Sequence, residues 1–315
     1  MPKPLPDLSS GVLELEPFAR IRLVVVDLDG TFLFPSSSSV LPILQREQRA
    51  FFHSRYGCLF TIATGRAVNS VRNLIKDLAI QRGMPLVLYN GAVVVEYPSF
   101  EIIRKIDLEM EEIGAVLAVC ERHPVAVYAY RYDGPLQSDF GHGSIESVFG
   151  WSHAPHAIYD FNGLQVQWQK SFELGLLSGF STMVIEMLGD SPPDALKQQL
   201  EQNCKVLCSR SSNRYLEIRP PNCSKGTSLA AVTAVLGITL EQTLAIGDND
   251  NDAEMLASAG IGVAIRGASA PALQASDFVC QRGAVDGALE VLRLVTKAHR
   301  FFPPTNLLPV PSSRP

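Results

Sequence analysis

The chain has 315 residues, 46% of them apolar and 19% charged, with a formal net charge of −5. Such a chain is too long for one typical domain and too apolar to be disordered, so a large domain with an insertion or a second domain is expected. The acidic balance leaves no basic footprint for nucleic acid or anionic lipid, and an anionic substrate would need locally placed cations or a metal. No apolar run approaches the roughly 18 residues of a membrane span, so no membrane partner is expected. The start, MPKPLPDLSSGVLELEPFAR, has no apolar signal core, and its acids argue against a transit peptide. Cys58, Cys120, Cys204, Cys208, Cys223 and Cys280 form no CxxC pair, which fits reduced, scattered thiols in a cytoplasmic protein.

Residues 1–20 are Pro-rich and read as a loosely held, flexible leader. Leu23, Val24, Val25 and Val26 then form an apolar, β-branched run that suits a central parallel strand buried on both faces. It ends in Asp27 and Asp29, followed by Gly30 and Thr31. A buried strand has no use for unpaired acids at its tip, and in open α/β sheets ligands gather at the carboxyl ends of strands. Pro35 to Ser39, which includes Ser37, reads as a flexible loop, and the LPILQREQRAFFHSRYG stretch as a helix stopping at Gly57. Leu59–Ala63 is a second buried strand, tipped by Thr64-Gly65-Arg66. A helix from about Val68 to Ile80 and a third strand, Leu86–Tyr89, complete a β-α-β-α-β order that implies a parallel, doubly wound sheet.

After Asn90-Gly91, a hairpin-type turn, the texture changes to short strands, two helices and no clear alternation. Residues 94–208 are expected to form an inserted α+β module, leaving 21–93 and 209–300 as the α/β core. Trp151, Trp168, Tyr128 and Tyr130 are expected to fill the module's small core. From Lys225 the alternation resumes with a helix ending at Gly237, a strand TLAIGD ending in Asp248, further αβ units and a closing helix from Val285 to Arg300. Residues 301–315 read as an unstructured Pro-rich tail.

Three strands thus end in polar tips, at Asp27-Leu28-Asp29-Gly30-Thr31, Thr64-Gly65-Arg66 and Gly247 to Asp252, with Lys225 at a helix start just before the last. A doubly wound sheet lines these tips along one edge. The set fits phosphoryl transfer to a carboxylate. A phosphate monoester is a poor electrophile until its oxygens are neutralised, which Lys225 and a hard divalent ion held by oxygen ligands would do. Asp27 can attack phosphorus, and Asp29 can protonate the leaving oxygen and then activate water. Thr64 and Gly65 offer a hydroxyl and an N–H to the phosphate, and Asp248 a second metal carboxylate. Asp250 and Asp252 read either as helix-start acids or as groups orienting Lys225 or the metal site. Arg66 reads as a substrate or module contact, or a surface ion pair. The six histidines are scattered, and Pro155 argues against a helical metal pair of His153 and His156.

DLDGT, ATGR, SKGT and GDNDND, in that order, resemble the four motifs of the haloacid dehalogenase superfamily of phosphohydrolases. The insertion after the third strand, and GIGVAI followed by PALQASD, resemble the type IIB cap and ending of its Cof-like branch. The resemblance covers roughly residues 21–295. It implies Asp27 as nucleophile and metal ligand, and Asp29 as general acid/base with its carbonyl on the metal. It further implies Asp248 and Asn249 at the metal, and Leu28, Thr64, Gly65, Lys225 and Asn251 around the substrate phosphate. Mg2+ is the implied cofactor, with Mn2+ also fitting the ligands. A small phosphate ester is the implied partner, sugar phosphates first and flavin mononucleotide or pyridoxal phosphate next. The lengthened FPSSSSV loop and the Pro-rich ends depart from the family pattern. Two other outcomes are a phosphomutase or single-pathway sugar-phosphate phosphatase, and an idle binding protein that kept the fold.

Overall fold

The computed structural model of the protein describes residues 1–7, 9, 11–34, 42–52, 58–78, 80–138, 141–154, 160–161, 163–173, 175, 177–189, 192–210 and 213–303. The Pro35–Ser39 loop, His156 and the Pro-rich tail from residue 304 onward lie outside these residues.

Leu23, Val24, Val25 and Val26 are fully buried, as a central parallel strand requires. Strand Leu23–Val26 lies between Thr243–Gly247 and Leu59–Ile62, both parallel to it. Ile261–Ala264, Phe278–Val279 and Lys3–Pro4 extend the sheet on the Thr243–Gly247 side, giving six parallel strands among the described residues. From Leu23–Val26 the chain crosses to Leu59–Ile62 on one side and later returns on the other. That reversal makes a crevice at the carboxyl ends of Leu23–Val26 and Thr243–Gly247.

Within the first 20 residues, Lys3–Pro4 and Val12–Ala19 form a strand and a helix, where a flexible leader was expected. The main chain of Lys3–Pro4 completes the sheet's edge beside Phe278–Val279. Helix Val12–Ala19 buries Leu15 and Phe18 and packs against the closing helix Ala284–Phe301.

Strand Met84–Leu88 touches the parallel sheet through a bridge of Ala63 with Val87. Its ladder is antiparallel, with Val93–Tyr97, which pairs in turn with Ile102–Lys105. Positive φ at Tyr89, Asn90 and Gly91 turns the chain back on itself, so the hairpin belongs to the core and not to the insertion. At the other boundary, Tyr215–Arg219 pairs with Phe180–Met187 in the module's sheet. The inserted module therefore runs from about Leu108 to Arg219, displaced from the expected 94–208 because strand pairing decides membership. The doubly wound α/β core with an inserted α+β cap is otherwise as expected.

The cap is a seven-stranded sheet among the described residues, with helices Met110–Cys120 and Asp194–Asn203 supplying apolar residues to its own core. Val127, Ala129, Trp151 and Ile185 face those helices. Tyr128, Tyr130 and Tyr132 point the other way and join the apolar cluster of the catalytic core. The Tyr130 ring lies 5.9 Å from Tyr89 of the core hairpin, and Trp168 lies 5.7 Å from Tyr128. Trp151 thus fills the cap's interior as expected, while Tyr128, Tyr130 and Trp168 sit on the sheet face turned toward the core. The cap is docked by polar bonds too: Glu146 accepts the N–H groups of Val68 and Asn69 at 2.9 and 2.8 Å. All six cysteines are buried thiols. Among the described residues no helix is long and apolar enough to cross a membrane.

Candidate active site

Asp27 is the first residue beyond strand Leu23–Val26, and its N–H donates to the Ile246 carbonyl of the neighbouring strand at 3.0 Å. Asp248 is the first residue beyond that neighbour, so backbone pairing alone sets the two acids side by side. Lys225 opens helix Lys225–Leu236, whose start is fixed by a capping box between Ser224 and Thr227. Its Nζ donates to Asp27 Oδ1 at 2.6 Å and to Asp252 Oδ1 at 2.7 Å. The Lys225, Asp27 and Asp252 side chains are 1%, 7% and 0% exposed, so this is a desolvated, hydrogen-bonded charge cluster and not a surface pair. Asp252 Oδ2 accepts the N–H groups of Asp248 and Asn249, each at 3.0 Å, and so ties the acidic loop to the lysine. Of the two readings left open for Asp252, the structure realises both, helix-start acid and lysine anchor.

Thr31 Oγ1 donates to Asp248 Oδ1 at 2.6 Å. Gly30 has φ +92°, and a Cβ there would collide with the Asp248 carboxylate. Only glycine lets the loop after Asp29 pass this close to the second acid.

Burial pushes the Asp27 carboxyl well above its ordinary range, opposed by Lys225 and reinforced by Asp252 and Asp248. Burial likewise raises Asp248 to about 6 against the Thr31 hydrogen bond. Burial works against the charge on Lys225, but Asp252 and Asp27 together hold its ammonium above the usual lysine value. Asp27 and Asp252 therefore share one fixed cation, with Asp248 alongside. Asp27, Asp248 and Asp252 each offer a carboxylate oxygen within 4.8 Å of the others. Hard oxygen donors crowded this closely fit a hard divalent cation.

The remaining expected residues lie on the strand ends and loops beside this cluster. Thr64 is buried, with its N–H bonded to the Val87 carbonyl, and its Oγ1 accepts the Arg66 N–H at 3.2 Å. Gly65 abuts the Asn90 amide, which a Cβ would meet at 2.9 Å. Asn251 Nδ2 donates to Asn90 Oδ1 at 2.8 Å. Leu28 has a fully buried side chain, so any substrate contact falls to its main chain. The Asn249 side-chain oxygen accepts the Asp250 N–H at 2.8 Å, making it a turn cap beside the acids. Arg66 closes a two-pronged bond on Asp29, Nε to Oδ2 at 2.7 Å and a terminal N–H to Oδ1 at 2.6 Å. Of the roles considered for Arg66, the ion pair is the one formed, and its partner is the expected acid/base. Sequence reading passed over Thr31 and Asn90 because each doubles as an ordinary turn residue.

A sequence model of the haloacid dehalogenase-like hydrolases matches residues 24–292. The chain belongs to that family. It is 28% identical over 261 residues to an HMP-PP phosphatase of Cronobacter sakazakii, covering 81% of this chain and 87% of that one. Identity is 24% over 277 residues to the 5-amino-6-(5-phospho-D-ribitylamino)uracil phosphatase YcsE of Bacillus subtilis, covering 87% and 95%. Among solved structures, a HAD/COF-like hydrolase from Plasmodium vivax superposes with a TM-score of 0.70 at 19% identity, covering 91% and 99%. A HAD subclass IIB sugar phosphatase superposes with a TM-score of 0.65 at 21% identity, covering 89% and 98%. These structural likenesses carry the fold, a haloacid dehalogenase core with a subclass IIB cap.

Proposed function

We propose that this haloacid dehalogenase-family phosphatase hydrolyses a small phosphate monoester through an aspartyl-phosphate on Asp27, with Mg2+ as its cofactor. The observation that carries the proposal is Lys225 bonded between Asp27 and Asp252 at the sheet's crevice, with Asp248 alongside. Asp27, Asp248 and the main-chain carbonyl of Asp29 would hold the cation, beside Asn249; Mn2+ suits the same donors. When bound, the cation supplies neutralisation of the phosphate's negative charge.

An Asp27 oxygen attacks phosphorus as the bond from phosphorus to the leaving oxygen breaks, and Asp29 delivers a proton to that oxygen. Asp29 then takes a proton from water, whose oxygen attacks phosphorus and frees Asp27. The Arg66 fork holds the Asp29 carboxylate in one rotamer at the mouth of the site. Thr64, Gly65, Lys225, the Leu28 main chain and the second N–H of Asn251 would hold the phosphate oxygens. The docked cap would exclude water from these steps.

The substrate class is a small phosphorylated metabolite, sugar phosphates first. The relatives named for HMP-PP and for a phosphoribitylamino-uracil support heterocycle-bearing phosphates as the next to test. Phosphate release from para-nitrophenyl phosphate, with and without Mg2+ and beside Asp27→Asn, tests the reaction class. Metal-dependent release lost in the variant is the expected outcome. Equal release by both proteins would overturn Asp27 as nucleophile.

A further inference from the structure

Asn90 stands where four parts of the molecule meet, and the established motifs give it no task. It is 2% exposed and holds φ 52°, a left-handed conformation that asparagine tolerates better than most residues. Its N–H donates to the Thr64 carbonyl at 2.9 Å, and its carbonyl lies 3.9 Å from Cys223 Sγ, close to the start of the Lys225 helix. Gly91, also at positive φ, brings this turn against the Ser224 carbonyl, where a Cβ would collide. The backbone of Asn90 is thereby locked, and only its amide has freedom to turn.

That amide has a cap residue on one side and the acidic loop on the other. Its Nδ2 donates to Glu217 Oε2, on the cap strand Tyr215–Arg219. Its Oδ1 accepts Nδ2 of Asn251. An ionised carboxylate only accepts, so Glu217 obliges Asn90 to turn its NH2 outward and its oxygen inward. The inward oxygen only accepts, so Asn251 must give it an N–H. One N–H and the Oδ1 of Asn251 are left for the site, and that Oδ1 is buried with no partner. Without the carboxylate, the Asn90 amide has no reason to prefer this orientation over its flip, and a flipped Asn90 would reverse Asn251 as well.

We propose that Glu217 is a positioning residue for the phosphatase reaction, setting through Asn90 which atoms of the Asn251 amide face the bound phosphate and cation. The site is completed only when the cap strand is docked, so closure and orientation of the acidic loop become one event. This rests on the phosphatase reading, and the test separates the two.

The variants are Glu217→Met, which keeps length and loses the acceptor, Glu217→Gln, which keeps an acceptor oxygen, Asn251→Ala and the Glu217→Met/Asn251→Ala double variant. With para-nitrophenyl phosphate and saturating Mg2+, Glu217→Met lowers kcat about tenfold, in the range typical for outer partners of a metal site. Glu217→Gln returns kcat to within about threefold of the parent, since amide acceptors are weaker than carboxylates. The double variant is no slower than Asn251→Ala alone, because residues acting through one network do not add. Losses that multiply, or no recovery in Glu217→Gln, overturn the proposal. A readout independent of turnover is the side-chain NH2 pair of Asn251 in nitrogen-15 spectra. Glu217→Met shifts that pair and Glu217→Gln shifts it less; an unmoved pair overturns the relay. A parent protein that releases no phosphate refutes the phosphatase reading, and the spectra then still decide the relay.

Discussion

The catalytic core and the cap solve opposite problems with polar residues. In the core, charge is buried on purpose: Lys225 is enclosed by Asp27 and Asp252, and Asp248 leans on Thr31. Each group is costly alone and tolerable only in the set. In the cap, the face turned to the core is mostly aromatic and aliphatic, with Tyr128, Tyr130, Tyr132 and Val148. Its carboxylates Glu146 and Glu217 act as fasteners, each bonded to groups of the core. The difference teaches that the reacting charges are held by one another, whereas the cap is held by an apolar face with a few carboxylate bonds to the core.

If that contrast is right, disturbing the core set has the largest effect. Lys225→Met leaves two acids facing each other without their cation, and should lower unfolding free energy by about 3–5 kcal/mol in urea titration. Phosphate release should fall with it by a factor on the order of 10³, as expected where a fixed charge stabilises the transition state. A stable, active Lys225→Met protein would show that the buried cluster is not the catalytic centre.

Asp252→Asn comes next. It keeps the shape but weakens the grip on Lys225 and on the Asp248 and Asn249 N–H groups. The expected loss in kcat is about 10–100-fold, with a higher Mg2+ requirement. Arg66→Lys exchanges the two-pronged fork on Asp29 for a single point charge. About a tenfold fall in kcat is expected, with unfolding free energy changed by less than about 1 kcal/mol, since the pair is partly exposed.

The cap fastener should give the smallest effect, and it carries a pH signature. Burial pushes the Glu146 carboxyl up to about 7, against the Val68 and Asn69 N–H bonds and the charge of Arg72. An undocked glutamate titrates near about 4.3. The docked state thus binds the proton more readily, so docking is favoured as pH falls through about 7 and weakened above it. Hydrogen exchange at the Val68 and Asn69 amides, corrected for intrinsic rates, should show a few-fold more opening at pH 8 than at pH 6. Glu146→Gln should flatten that dependence; the same slope in both proteins would assign the titration elsewhere.

Sequence reading reached the core more completely than the cap, for physical reasons. An apolar strand that ends in acids announces its own polarity, so Asp27, Asp29 and Asp248 were legible one by one. Parallel order then placed them together. Tyr128 and Tyr130 alternate along a strand with period 2, which says that they share a face but not which neighbour that face meets. Glu146 and Glu217 were invisible because their partners, Val68, Asn69 and Asn90, lie far away in sequence and are reached only through docking of the cap. The prolines of the leader predict no fold, yet it holds a strand and a helix. Leu15 and Phe18 are buried there because the closing helix offers them a surface, a fact of packing and not of local composition.

The most direct test of the proposed chemistry is to trap the covalent intermediate. The protein is mixed with a turned-over phosphate ester in the presence of Mg2+, quenched in acid during steady state, and reduced with borohydride before peptide mass analysis. An acyl phosphate on Asp27 yields homoserine at position 27 of the peptide spanning Leu23–Thr31, in proportion to the steady-state occupancy. Turnover with an unmodified Asp27, or with the mark on Asp29 or Asp248 instead, would contradict Asp27 as the nucleophile.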